Sequence, residues 1–273
     1  MGPPVSAGAI WRLLQAIESS GSGEHFLAVG GTSDRAPILR QQLLRGRAEP
    51  GAVRLGDPEG ADAFVHVLAD QPTDEDVALL RRARRAHVPV IAVAPGTRNS
   101  FPIPYVLATR VVWAPPAEEV PLDAVAGAIA ASVGEPGAPL AARVPLLRER
   151  FCEQLLASFA RRNGLLAAAV WRRGADLPVL LLNELRLVLR VAQAYRADDL
   201  PERLPEMIAT LGAGFGLRTL ARQLLDPTPG AGWTWTLKGG VAYAGTRALG
   251  EAARLRFALA ATPPRGATSP AAP

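Results

Sequence analysis

Residues 5–20 carry apolar side chains at Ile10, Leu13, Leu14 and Ile17, the three- and four-residue spacing of one helix face. The run Ser19-Ser20-Gly21-Ser22-Gly23 ends that pattern. A short apolar stretch over 25–29 reads as a strand and breaks at Gly30-Gly31. A helix is expected over 37–45, opened by Pro37, whose fixed φ suits a helix start. Apolar runs over 52–55 and 63–68 read as strands. Thr73 is placed to cap a helix with Asp74, Glu75 and Asp76 in its first turn and Arg81, Arg82, Arg84 and Arg85 near its end. That polarity matches the helix dipole. Residues 88–94 are continuously β-rich, the pattern of a strand buried on both faces. Residues 110–113 predict another strand, and 122–133 a helix with Leu122, Val125, Ala126, Ile129 and Val133 as its apolar side.

This alternation predicts a parallel sheet with crossover helices. The texture then changes. Gly134-Glu135-Pro136-Gly137-Ala138-Pro139 reads as a boundary at which the two halves can be separated. Beyond it, helical patterns run over 144–162, 181–195, 201–225 and 239–260, with Asp226-Pro227-Thr228-Pro229-Gly230 as a loop. The expected organisation is an α/β domain over 1–137, a basic all-helical domain over 138–260, and a disordered Pro/Ala/Thr-rich tail over 261–273.

Composition narrows the chemistry. With 49% hydrophobic and 20% charged residues, the 273-residue chain can bury a core. A single cysteine, Cys152, excludes a disulfide scaffold and any multi-thiolate metal site. Three histidines, His25, His66 and His87, leave little for a histidine-rich metal centre. The net charge of +5 is uneven: residues 1–138 hold 12 basic against 15 acidic residues, and 139–273 hold 18 against 10. A basic half suggests an anionic partner, membrane headgroups or nucleic acid, although 29 arginines to one lysine is also what GC-rich coding produces. No secretory signal is visible, and no run of 18 uncharged apolar residues occurs; the nearest, 165–182, contains Arg172, Arg173 and Asp176. A cytoplasmic location is expected, with a peripheral contact at the inner membrane as its extension.

An apolar strand, a glycine turn and a helix is the setting of a phosphate-binding loop, G-x-x-x-x-G-K-[ST]. Here the string is Gly30-Gly31-Thr32-Ser33-Asp34-Arg35-Ala36-Pro37. Arg35 stands for the second glycine, Ala36 for the lysine and Pro37 for the magnesium-binding hydroxyl. Alanine cannot replace an ammonium, and proline neither ligates a metal nor donates an amide. Further on, Asp57-Pro58-Glu59-Gly60 matches D-x-x-G.

The order of these elements over 25–133 resembles an Era-like GTPase domain. The resemblance implies a P-loop-type parallel sheet, with Asp57 and Gly60 at the magnesium and γ-phosphate position. It also implies an N-K-x-D guanine-reading motif after residues 88–94, but the chain reads Ala94-Pro95-Gly96-Thr97-Arg98. Only residues 47–56 separate the helix end at Gly46 from Asp57, too few for a switch loop and a strand. The expectation is a reduced GTPase-like α/β fold with a vestigial nucleotide site at Gly30, Arg35, Ala36, Pro37, Asp57 and Gly60, no bound cofactor or metal, and no catalytic residue.

The helical half, with its Leu185–Tyr195 pattern, the Gly212/Gly214/Gly216 cluster and Gly245-Thr246-Arg247-Ala248-Leu249-Gly250, resembles an uncharacterised bacterial domain found C-terminal to Era-like GTPases. That resemblance implies membrane association and no reaction. Gly212-x-x-x-Gly216 and Gly240-x-x-x-Ala244-x-x-x-Ala248 place small residues on one helix face for close packing. Trp233, Trp235 and Lys238 suit either a membrane interface or a core anchor. Asp74-Glu75-Asp76 reads as a solvated helix start, His66 as a packed strand residue, and Cys152 as a thiol whose pKa Arg148 and Arg150 would lower. No G-x-S-x-G elbow exists. The expected role is a non-catalytic interaction or scaffold protein, with a protein partner, a second copy or an anionic membrane surface as its target. The rivals are a GTP-binding protein in which Arg35 replaces the loop lysine, and a nucleic-acid-binding module, which lacks basic-aromatic interleaving.

Overall fold

The computed structural model describes residues 7–45, 47–97, 100–115, 119–169, 177–196 and 234–261. Strands β1 (Leu27–Gly30), β2 (Val53–Leu55), β3 (Ala63–Val67), β4 (Val90–Pro95) and β5 (Val111–Ala114) form one sheet in the order β2-β1-β3-β4-β5. Every neighbouring pair is parallel. β1, β3 and all but the last residue of β4 are buried, which is why their sequences show continuous apolar runs and no alternation.

Among the described residues eight α-helices accompany the sheet: α1 (Ala7–Gly21), α2 (Arg35–Leu44), α3 (Asp74–Arg85), α4 (Leu122–Val133), α5 (Ala138–Arg143), α6 (Arg148–Ala169), α7 (Leu177–Ala194) and α8 (Thr234–Ala261). α2 and α4 cover one face, where Leu39, Leu43, Val125 and Ile129 join Leu27, Val29, Val65 and Val93. α3 covers the other, where Leu80 and Ala83 meet Ala28, Phe64 and Ala92. The α/β class expected from the alternation is therefore present, followed by helices.

Local signals set several boundaries. Thr73 caps α3 as expected: its hydroxyl oxygen accepts the Asp76 N–H at 3.2 Å, and the Asp76 carboxylate accepts the Thr73 N–H at 2.9 Å. α3 ends in a paired turn, with His87 N–H donating to the Arg84 carbonyl at 3.1 Å and Val88 N–H to the Ala83 carbonyl at 3.0 Å. His87 stands at φ 58, in the position that glycine usually takes. Pro145 opens a short 3-10 turn, Pro145–Leu147, so the helix expected over 144–162 starts instead at Arg148.

Between β2 and β3 no helix forms. Residues 56–62 recross β1, with Gly56 N–H bonded to the Val29 carbonyl at 2.9 Å and Asp62 N–H to the Phe26 carbonyl at 3.0 Å. His25 fastens this crossover to α1: Nδ1 lies 3.0 Å from the Asp62 carboxylate, and Nε2 donates to the Ser20 carbonyl at 2.8 Å.

The stretch 134–139 lies inside the packing. Gly137, Ala138 and Pro139 are buried, and one apolar cluster continues from Val65 through Ile129 and Leu140 to Phe151, Leu156 and Leu187. Polar contacts cross the same divide. Glu49, ahead of β2, pairs with Arg143 at 2.6 Å and with Arg196. α1 docks on α7, where Arg190 donates to Ser20 Oγ at 2.6 Å and Gln193 Nε2 to the Ile17 carbonyl at 3.3 Å.

α8 lies along α6. A Cβ on Gly239 would come within 3.0 Å of the Gly164 carbonyl oxygen, and one on Gly250 within 2.7 Å of Leu156 Cγ. The packed face of α8 thus runs through Gly239, Ala242, Thr246, Gly250 and Phe257, while Gly240, Ala244 and Ala248 are exposed. The small-residue stripe expected to mediate packing is the wrong face, because α8 carries small residues on every side. Asn163 Nδ2 donates to Thr246 Oγ1 at 3.0 Å, and Asn183 Nδ2 to Asn163 Oδ1 at 2.8 Å, fixing the register of α6, α7 and α8. The expected helix over 201–225, the loop 226–230, the 212–216 glycines, Trp233 and, apart from Ala261 at the end of α8, the tail lie outside the described residues. No described helix is long and apolar enough to cross a membrane.

Candidate functional site

The chain leaves β1 at Gly30 and turns through Gly31, Thr32, Ser33 and Asp34 into α2. In doubly wound sheets ligands bind beyond the carboxyl ends of the strands, where the chain direction of winding reverses. Here that place lies between β1 and β3. A cavity of about 440 Å³ opens there, lined among others by Gly30, Thr32, Ala36, Pro37, Asp57 and Arg82. Four of the six residues expected at a vestigial nucleotide site are thus brought together. Arg35, the first residue of α2, and Gly60, in the crossover turn at φ 76, are not part of its lining.

At this end of α2, Ala36 and Pro37 supply neither the ammonium nor the hydroxyl of a phosphate loop. Arg35 N–H donates to Ser33 Oγ at 3.2 Å, Ala36 N–H to the Ser33 carbonyl at 3.0 Å, and Pro37 has no N–H. The first-turn amides that would meet an anion are therefore already used. Asp57 is equally engaged. Its carboxylate accepts the Glu59 N–H at 3.0 Å and pairs with Arg82 at 2.8 Å. The Glu59 amide, opposed by desolvation and helped by Arg82, holds its carboxyl below the usual range.

Next to the cavity, a buried polar network that the sequence did not announce links β3, the turn after β1 and the start of α3. His66 on β3 and Asp76 in the first turn of α3 are both fully buried. His66 Nε2 lies 2.8 Å from Asp76 Oδ1. The same carboxylate accepts the Thr73 hydroxyl at 2.8 Å and the Thr32 hydroxyl at 3.1 Å. The reading of Asp74-Glu75-Asp76 as a solvated turn fails at Asp76, whose side chain turns inward while Asp74 and Glu75 stay exposed. Burial alone would raise the Asp76 carboxyl, but the Thr73 amide and hydroxyl and His66 together hold it below its ordinary value. Burial lowers the His66 ring, and Asp76 offsets only part of that. His66 is thus neutral at pH 7, with Nε2–H donating to Asp76, and Nδ1 is buried without a partner.

This arrangement fixes a pH dependence. A histidine whose folded pKa is lowered stays neutral while the unfolded chain takes up its proton. The His66 contribution to stability is therefore full above about pH 6.5 and falls as pH drops below it, by at most about 1.4 kcal/mol per pH unit for one proton. The lowered Asp76 carboxyl adds a further loss below about pH 4. His66→Gln keeps a donor for Asp76 but removes the titrating ring. Urea unfolding at about pH 7 and about pH 5 should show a smaller difference in that variant than in the parent protein; equal differences would remove His66 as the cause.

Elsewhere the sequence-derived candidates do not assemble. Cys152 is buried in α6, and desolvation pushes its thiol up to about 12, against the lowering expected from Arg148 and Arg150. Lys238 is half-buried near the start of α8. Among the described residues no group of three or more His, Cys, Asp or Glu side chains could hold a metal ion. The chain matches no family model, no curated protein and no solved structure.

Proposed function

We propose that this chain is a non-catalytic interaction or scaffold protein whose α/β unit has the outline of a P-loop GTPase domain and binds no nucleotide. The observation that carries the proposal is the start of α2, where Ser33 and Pro37 leave no first-turn amide for a phosphate. The buried Asp76 carboxylate beside it adds negative charge where an anion would have to approach. The strand order is shared with flavodoxin-like sheets. The GTPase outline therefore rests on the glycine turn after β1 and on Asp57-x-x-Gly60. Calorimetric titration with GTP or ATP and magnesium should show no micromolar binding. Tight, magnesium-dependent GTP binding would replace this reading with that of an atypical GTP-binding protein relying on Arg35.

The partner we propose is an anionic membrane surface met by the basic, helical part of the chain. α8 leaves Leu237, Leu255 and Leu259 exposed near the cations Lys238 and Arg256. Basic residues near an anionic surface contribute about 1 kcal/mol each, so a few of them support weak, salt-sensitive binding. The full chain should co-sediment with anionic vesicles and not with neutral ones; equal recovery with both would turn the proposal towards a protein partner or a second copy.

A further inference from the structure

At the amino-terminal edge of the sheet, opposite the cavity beside β1, lies a second cavity of about 690 Å³. That is within the range of small-molecule sites. We propose that it binds a small organic dianion of the phosphate-monoester class, with the charge held by Arg84 and Arg110 and the organic body against Val106 and Leu107. This goes beyond the interaction role proposed above and is independent of it.

Charge is the first support. Arg84, at the end of α3, and Arg110, just before β5, line the cavity together with His87. Among the described residues neither arginine pairs with a carboxylate; Arg84 stacks on the Tyr105 ring at 5.5 Å, on which Arg81 also sits at 5.9 Å. Arginines pointing at a common space without a counter-ion leave fork-shaped donors for an oxyanion. Apolar surface is the second. Leu107 is 61% exposed at this cavity. A purely ionic site for free phosphate would not need such a wall.

Backbone conformation is the third. Four non-glycine residues among those described have positive φ, and two of them, His87 at 58° and Tyr105 at 64°, line this one cavity. His87 occupies the turn position after α3 where glycine would be free of strain. A residue kept there against its local preference has a reason in its side chain, and the cavity supplies one.

Titration calorimetry of the full chain with phenyl phosphate, inorganic phosphate and benzyl alcohol tests this. Phenyl phosphate is expected to bind saturably, one per chain, and the other two at least about tenfold more weakly, because each presents only half of the recognised chemistry. Arg110→Gln and Arg84→Gln should each weaken phenyl phosphate by about tenfold or more, the loss of one charge-assisted hydrogen bond. Arg161→Gln, which removes an equal charge from an exposed position on α6, should leave binding unchanged. His87→Gly should raise the thermal midpoint of the free protein while lowering affinity. No saturable binding of phenyl phosphate overturns the proposal. So does a loss in Arg110→Gln and Arg84→Gln no larger than in Arg161→Gln, since only the net charge would then matter.

Discussion

Gly31→Ala is expected to destabilise the protein by about 4 kcal/mol, near the limit of what a domain of ordinary stability survives. Gly31 sits at φ 126, a conformation that side chains rarely adopt. A Cβ there would lie 2.1 Å from the Val67 carbonyl oxygen and 2.8 Å from the Val67 nitrogen, both backbone atoms of β3. The penalty has two parts, about 1–3 kcal/mol for the backbone conformation and about 1–3 kcal/mol for overpacking against atoms that cannot rotate away. Gly56 separates them. It has φ 110 but nothing within 4 Å of an added Cβ, so Gly56→Ala should cost only the conformational part. Urea unfolding of both variants gives the comparison. If Gly31→Ala costs no more than Gly56→Ala, the turn after β1 relaxes, and the close approach of Gly31 to β3 is not what fixes it. A glycine that looks like the remnant of a phosphate loop is, on this account, kept by strand packing.

Dividing the chain between residues 137 and 138 is expected to leave neither piece folded. The sequence texture places a boundary there, but the packing runs through it. The first piece would expose Val125, Ile129 and the sheet residues that share their cluster; the second would expose Leu140, Phe151 and Leu156. It would also strip α7 of α1 and Arg143 of Glu49. The main cost is the lost apolar burial, because the freed polar groups meet water on the separated pieces. Circular dichroism melting should show no cooperative transition in either piece alone. Limited proteolysis of the whole chain should spare 134–139. Two independently melting pieces, or a first cut within 134–139, would restore a two-domain description.

Much of the α/β part was legible in the sequence because its signals are local. Thr73 and Asp76 cap a helix three residues apart, and β4 is one continuous apolar run. The α4 bounds follow from the spacing of Leu122, Val125, Ile129 and Val133 alone. What escaped was nonlocal. Nothing in the neighbours of His66 shows that Asp76 turns inward to meet it, since an acidic first turn satisfies the helix dipole equally well facing water. The packed face of α8 could not be chosen from glycine and alanine spacing, because steric room decides it and Leu156 and Gly164 lie on another helix. At the cavity by α3, the arginines explain themselves locally as a helix terminus; only the arrival of Arg110 and Tyr105 from the chain beyond β4 makes them a common lining.

The docking of α1 on α7 bears on how the protein is made. The apolar side of α1, with Ile17 buried and Leu13 and Leu14 packed against the core, finds its cover on a helix that ends at Ala194. Synthesis proceeds at about 5–20 residues per second, so roughly 10–30 s pass between the emergence of the two helices. During that interval the strands from β1 to β5 are already available to pair, while α1 remains without its cover on α7. The nascent chain thus carries an uncovered amphipathic helix until α7 has been made, and a chaperone that holds such segments would meet α1 early and release it only once α7 has arrived.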